Sequence, residues 1–315
     1  MIHLRELAAA HVEKPSIVAI GVFDGVHRGH QLLIQRLVEN ARASDRTAVV
    51  ITFFPHPDVL LRGLSGRYYL TSPDEKAELL TELGVDVVIT LPFDDRLRHV
   101  RAAEFVDKLV GQLKLSSLWV GEDFALGYKR EGNVPFLREQ GVVKEFDVHT
   151  VDLLMGDHAA ISSTRIRESL LAGDVESANT WLGRGYRVQG EVVHGQKRGR
   201  TIGFPTANIA VWEELVIPAN GIYAGWAEFD DQRYMAATSV GTRPTFNNGQ
   251  DVTVEAYLLD FDGDLYGKTL SFSFERYLRP ELRYTDIPSL IEQISKDVAD
   301  TREFLMAQEA QTLKE

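Results

Sequence analysis

His27 and His30 stand three residues apart in the stretch GVFDGVHRGH (21–30), between the apolar run SIVAI and the segment QLLIQRLVEN. The first turn of a helix presents unpaired backbone N–H groups and a partial positive charge. Glycines let such a turn approach a phosphate closely, and Gly21, Gly25 and Gly29 are at hand. Gly21, Phe23, Asp24 and Gly29 are therefore candidate nucleotide contacts, and the two imidazoles add side-chain donors. This equipment suits nucleotidyl transfer, in which a phosphate attacks the α-phosphorus of ATP and pyrophosphate leaves. Positioning and charge stabilisation carry such a reaction, so no side chain must act as nucleophile. The alternative is a plain turn bearing surface histidines. The H-x-G-H form, a buried strand before it and a helix after it weigh against that alternative.

Other segments carry chemistry of the same kind. ISSTRIRESLLAGDVESAN opens with Ser162, Ser163 and Thr164, followed by Arg165 and Arg167. Hydroxyls cap a helix start, but arginines there oppose the helix dipole and make more sense facing a triphosphate. In TFFPHPDVL the prolines force an extended exit, and His56 is either a ligand contact or a polar loop residue. VGEDFALGYKREGN places Asp123 after another strand.

A second constellation lies further along. GQKRGRTIGFPTANIA (195–210) holds Gly195, Gly199 and Lys197 in a basic, glycine-rich loop suited to wrapping phosphate. It is not G-x-x-x-x-G-K-[ST]. Thr206 and Asn208, two apart in an extended piece, share a face and offer hard oxygens for Mg²⁺ held with ATP. In DVTVEAYLLDF, alternation puts Thr253, Glu255 and Tyr257 on one face. Glu255 is then either a solvated surface acid or a general base for an alcohol.

The elements that position these residues change character along the chain. From about residue 16 to 182, strand-like runs (SIVAIGVF, RTAVVITF, VDVVIT, SSLWVG) alternate with helical ones. That order predicts a mainly parallel, Rossmann-like sheet covered by helices, with ligands beyond the carboxyl ends of the strands. After LGRGYRVQG, short strands split by Gly, Asn, Asp and Pro predict a small antiparallel barrel or sandwich. One helix, IPSLIEQISKDVADTREFLMAQ, follows; its Leu290, Ile291, Ile294, Val298, Phe304 and Leu305 largely share a face. The expected domains are 1–183 and 184–315.

The 315 residues suit two domains, and the formal charge of −12 argues against broad binding to nucleic acid or an anionic membrane. Without cysteine, disulfides and thiol catalysis are excluded. The start MIHLRELAAAHVEKPS lacks the pattern of a signal peptide, and no apolar run approaches the roughly 18 residues of a membrane span. A cytoplasmic protein acting on small molecules is expected, and a homo-oligomer stays open.

Taken together, GVFDGVHRGHQ, TFFPHP, VGEDF, ISSTRIR, LLAGDVESAN, GRTIGFPTANI, GIYAG, SVGTRPTF, VEAYLLDF, DLYG and LRPELRY closely resemble the prokaryotic bifunctional riboflavin kinase/FMN adenylyltransferase, or FAD synthetase, family. The resemblance covers nearly the whole chain. It implies an N-terminal nucleotidyltransferase domain and a C-terminal six-stranded kinase barrel. Such a protein phosphorylates riboflavin to FMN with MgATP, then adenylylates FMN to FAD. The resemblance implies that His27, His30, Ser163, Thr164 and Arg167 meet ATP phosphates and that Asp123 is a polar ATP or flavin contact. It further implies that Thr206 and Asn208 serve MgATP, that Glu255 is the kinase base and that Arg279 and Glu281 lie by the flavin. Phe54, Val22, Leu126 and Gly185 depart from the family's usual residues. The competing reading is a nucleotidyltransferase for another phosphorylated acceptor with a C-terminal flavin-binding module. A non-catalytic flavin sensor would be expected to have lost His30, Asn208 or Glu255. An aminoacyl-tRNA synthetase, which also uses H-x-G-H, would be expected to carry KMSKS.

Overall fold

The computed structural model describes residues 2–151, 155–156, 159–195, 198–244 and 250–312. The chain divides into two compact units, Met1–Ser163 and Thr164–Glu315.

In the first unit the elements run β1 (Ile2–Leu4), β2 (Ser16–Ile20), α1 (Arg28–Ala43), β3 (Thr47–Phe54), α2 (Pro57–Arg62), α3 (Pro73–Glu82), β4 (Val87–Pro92), α4 (Ala102–Leu113), β5 (Leu115–Gly121), β6 (Ala125–Leu126), β7 (Gly132–Asn133), α5 (Val134–Lys144), β8 (Asp147–Val151), β9 (Met155–Gly156) and β10 (Ala159–Ala160). Six strands form one parallel sheet in the order β1-β4-β3-β2-β5-β8. β2 is buried along its whole length because both faces are covered. Ile17 and Ala19 meet Ile34 and Leu37 of α1 and Leu80 of α3. Val18 and Ile20 meet Leu109 of α4 and Leu137 of α5 on the other side. This double burial is why SIVAI is uninterrupted rather than alternating. The chain leaves β2 for β3 on one side and later returns to β5 on the other. The turn after β2 therefore sits at the topological switch point, where such sheets bind ligands. β1 was not foreseen; its three residues pair with β4 at the sheet edge.

α6 (Ser163–Leu171) starts on the last residue of the first unit and runs into the second, where α7 (Val175–Leu182) comes next. β11 (Tyr186–Val193), α8 (Arg198–Thr201), β12 (Ala207–Val211), β13 (Gly221–Phe229), β14 (Gln232–Pro244), β15 (Gln250–Leu258), β16 (Thr269–Arg279) and α9 (Ile287–Thr312) follow. The strands close an antiparallel barrel in the order β11-β12-β15-β14-β13-β16. Tyr186, Tyr223, Phe272 and Phe274 fill its interior, and the hydroxyl of Tyr186 donates to Val216 O at 2.6 Å. The shift of composition near residue 183 lies inside this unit. Val175, Ala178 and Leu182 of α7 are fully buried. Asn179 Nδ2 donates to Phe274 O at 2.7 Å, and Asn179 Oδ1 accepts from Tyr186 N at 2.7 Å. These bonds tie α7 to the first and last barrel strands, so the helical segment before 183 packs with the barrel it precedes. The apolar stripe of α9 also carries two buried polar residues, Asp297 and Thr301.

Candidate functional sites

In the first unit His27 is the N-cap of α1, its Nδ1 accepting from His30 N at 3.4 Å. The two imidazoles stack at 3.6 Å between centroids, tilted by 17°. Phe23 meets His30 edge-on at 5.2 Å. Burial, then His27, then Lys76 hold His30 well below the ordinary histidine range, so this ring is neutral at neutral pH. A neutral imidazole can still donate one hydrogen bond to a phosphate. Its buried Nδ1 has no partner among the described residues, which leaves an orphaned polar atom at the head of a helix.

The turn that presents these rings is strained and braced. Phe23 and Val26 have φ of 52° and 40°, unusual for bulky and β-branched residues. Gly25 N donates to Thr71 Oγ1 at 3.2 Å, Gln31 Nε2 to Val26 O at 2.8 Å and Ser163 Oγ to Asp24 O at 2.9 Å. Ser163 thus bonds to the turn through the backbone of Asp24. Asp24, an expected nucleotide contact, is held from the neighbouring loop. Its carboxylate is buried and accepts from Leu70 N at 3.0 Å and Thr71 N at 3.4 Å, so its oxygens fasten a neighbouring loop. Phe23 is likewise a core residue, 3% exposed. Gly21 ties the turn to β3 through its N–H, which donates to Ile51 O at 3.1 Å. Gly29 lies in the first turn of α1.

Lys76 escaped the sequence reading. It is 3% exposed, and its Nζ donates to Val22 O at 3.0 Å; the Thr52 hydroxyl donates to the same carbonyl at 2.7 Å. Burial pushes the ammonium down to about 8, with Asp24 opposing and Arg5 adding to the fall. A signal was present: Lys76 shares a face of α3 with Leu79 and Leu80, both buried.

His56 caps α2, accepting from Asp58 N at 3.0 Å, and lies edge-on to Tyr68 at 5.1 Å. Asp123 is exposed, and its carbonyl accepts from Arg130 at 2.8 Å. Thr164 and Arg167 fall in the second unit on α6, Thr164 exposed and Arg167 half-buried. Their neighbour Arg165 stacks on the Trp181 ring at 4.4 Å.

In the barrel, register builds the second site. Glu255 of β15 pairs with Asn208 of β12 on one side and Ser239 of β14 on the other. Directly opposed residues share a face, so the carboxylate sits between an amide and a hydroxyl. The Thr206 hydroxyl donates to Glu255 Oε2 at 3.3 Å. A Cβ on Gly195 would lie 2.4 Å from the Asn208 amide nitrogen, so only glycine lets that amide lie against the loop backbone. Gly199 closes the following turn, its carbonyl accepting from Phe204 N at 2.9 Å, and Phe204 meets Tyr257 edge-on at 5.3 Å. Lys197 lies outside the described residues.

Glu281 arrives from beyond β16. A Cβ on Gly241 would lie 2.6 Å from Glu281 Oε1, which puts this carboxylate on the Ser239–Gly241 stretch beside Glu255. Burial and then Glu255 push Glu281 up, while Arg279 pulls it down. Arg279 turns its guanidinium to Asp297, with Nε–Oδ1 at 2.8 Å and Nη2–Oδ2 at 2.6 Å. Gln293 donates to the same carboxylate at 2.9 Å. The resemblance puts Arg279 by the flavin; its fork fastens α9 to the end of β16. Ser239 and Asp297 are the residues that the reading missed here. Ser239 follows from strand pairing and Asp297 from its place within the apolar stripe of α9.

The comparisons agree with this division of labour. A FAD synthetase family model matches residues 9–165, and a riboflavin kinase model matches residues 182–305. Bifunctional riboflavin kinase/FMN adenylyltransferases are similar: that of Listeria monocytogenes is 37% identical over 91% of this chain and 92% of its own length. That of Pseudomonas fluorescens is 38% identical over 91% and 92%, and that of Escherichia coli K12 is 36% identical over the same shares. A crystal structure described as a macrolide-efflux protein from Streptococcus pneumoniae aligns with a TM-score of 0.86 at 30% identity, over 96% of this chain and 98% of that one. Among the described residues no helix is long and apolar enough to cross a membrane. On the matched domains and the near-full-length relatives together, the chain belongs to the bifunctional riboflavin kinase/FMN adenylyltransferase family.

Proposed function

We propose that the second unit phosphorylates riboflavin with ATP and that the first unit adenylylates FMN to FAD. The observation that carries this reading is the placing of Glu255 between Asn208 and Ser239, with the Thr206 hydroxyl on its carboxylate. An alcohol is a poor nucleophile until its proton has somewhere to go. Glu255 takes that proton as the terminal ribityl oxygen bonds to the γ-phosphorus, and ADP leaves with the electrons of the broken P–O bond. Thr206 and Asn208 offer a hydroxyl and an amide oxygen, hard donors that fit Mg²⁺. They would hold the cation, which would neutralise phosphate charge. Glu281 narrows the same face and repels a second anion there, favouring an uncharged alcohol beside Glu255.

In the first unit the attacking group is a phosphate, already anionic, so no base is needed. Its oxygen bonds to the α-phosphorus of ATP and pyrophosphate leaves. Neutral His30, capping His27 and the N–H groups heading α1 bind the phosphate oxygens where charge builds. Thr164 and Arg167 keep the phosphate-binding role that the family resemblance implies. ATP consumption, riboflavin as substrate and a chain without cysteine suit the cytoplasm.

Incubation of the purified protein with riboflavin and MgATP, followed by chromatography, tests the reading. FMN should appear first and FAD after it. FMN and MgATP alone should give FAD and pyrophosphate. Absence of both flavin products would refute it.

A further inference from the structure

Lys76 has no place in the mechanism above, yet its ammonium is buried within the first unit. An ammonium carries three donors, and among the described residues Lys76 has one acceptor, Val22 O. A methionine would fill such a site without the cost of desolvating a charge. Something other than packing has to account for a cation here. Val22 begins the strained turn that leads to the stacked imidazoles, so the ammonium stands directly behind the element proposed to bind ATP.

We propose that Lys76 is a positioning residue of the adenylyl-transfer site: its ammonium, tethered to Val22 O and facing Asp24, fixes the turn that presents His27 and His30 and places a positive charge behind it. The inference rests on the proposed function of the first unit. The charged and titratable groups facing Lys76 are Asp24 after β2, Arg5 and His3 at the sheet edge, and His30 on α1. Asp24 favours the charged amine and Arg5 opposes it. Lys76 in turn helps keep His30 neutral. Loss of the lysine proton as pH rises through about 8 leaves Asp24 without its counter-charge and removes the cation behind the turn.

The test uses the full chain, with FAD formation from FMN and FMN formation from riboflavin measured side by side. Lys76→Met should lower kcat/KM for adenylylation by about 10²-fold, the scale of losing one preorganised electrostatic contact. Riboflavin phosphorylation should be unchanged; the thermal midpoint of the first unit should fall, because buried Asp24 loses its counter-charge, so both reactions are assayed well below it. In the wild type, kcat/KM for adenylylation should fall on an alkaline limb near pH 8, which phosphorylation lacks. Full adenylylation by Lys76→Met would overturn the proposal. So would adenylylation that returns to the wild-type value on cooling below the midpoint, since the lysine would then be an ordinary brace. If the variant does not fold, the wild-type profile decides, and a flat alkaline limb overturns the proposal. A wild type that makes no FAD from FMN at all would overturn the functional reading instead.

Discussion

Around His30 the polar equipment is two stacked imidazoles, a helix start and a buried ammonium; around Glu255 it is two carboxylates, an amide and two hydroxyls. The first set lies mostly within ten consecutive residues after β2, while the second is gathered from four separated segments of a barrel. The nucleophiles account for the contrast. A phosphate arrives already charged and must be held by donors, so the one carboxylate of the turn, that of Asp24, is turned onto the backbone of Leu70 and Thr71. An alcohol must lose a proton, so a carboxylate is left facing the site.

The sharpest way to break this contrast is Glu255→Gln. The amide keeps the shape and cannot accept the proton. Riboflavin phosphorylation should fall by about 10²–10⁴-fold, while FAD formation from supplied FMN continues. Near-normal FMN formation in the variant would remove Glu255 from the mechanism. His30→Ala is the mirror experiment. FAD formation from FMN should drop by about 10²–10³-fold with FMN formation intact, and equal loss of both in a folded variant would show that the two sites are not separate.

Fragments sharpen the comparison next. We propose that 164–315 is the self-sufficient kinase. A fragment 184–315 loses α7, and with it both Asn179 bonds and the buried side chain of Leu182. It should be less stable by about 3 kcal/mol or more, read from the denaturant midpoint. Equal midpoints would place the boundary near 183 after all. The smallest effect is one of acid stability. His30 is held neutral in the folded state, so the unfolded chain binds more protons once pH falls below the ordinary histidine value of 6.5. Stability of the first unit is therefore present above that value and lost below it. His30→Gln should flatten this acid slope, measured as thermal midpoint against pH.

How much of this was legible depended on sequence distance. The H-x-G-H turn was readable because strand, turn and helix follow one another and report a ligand edge together. β15 was readable because alternation assigns Glu255 a face. The partners on that face were harder. Ser239 reaches Glu255 only through the β14–β15 pairing, and Glu281 only through the chain's return over Gly241. Residue type was least informative at Asp24, Arg279 and Lys76. Charged side chains are nearly always solvated or at a ligand, yet here they fasten a loop, anchor a helix and stand behind a turn. β1 was invisible because three residues are too few to show a period, and only the open edge of β4 makes them a strand.

The closed barrel gives Glu255 one more consequence. Val254, Ala256 and Leu258 point inward, 3%, 0% and 4% exposed, and Glu255 points out. A slip of β15 by one residue against β12 and β14 would exchange the two sets. The carboxylate would then lie among the aromatic rings of the interior, at a cost of several kcal/mol for an unpaired buried ion. The mis-zipped barrel is excluded by the same side chain that is proposed to take the ribityl proton. Turnover of riboflavin thus doubles as an assay of alignment: a chain that makes FMN has closed its strands in the one order that leaves Glu255 outside.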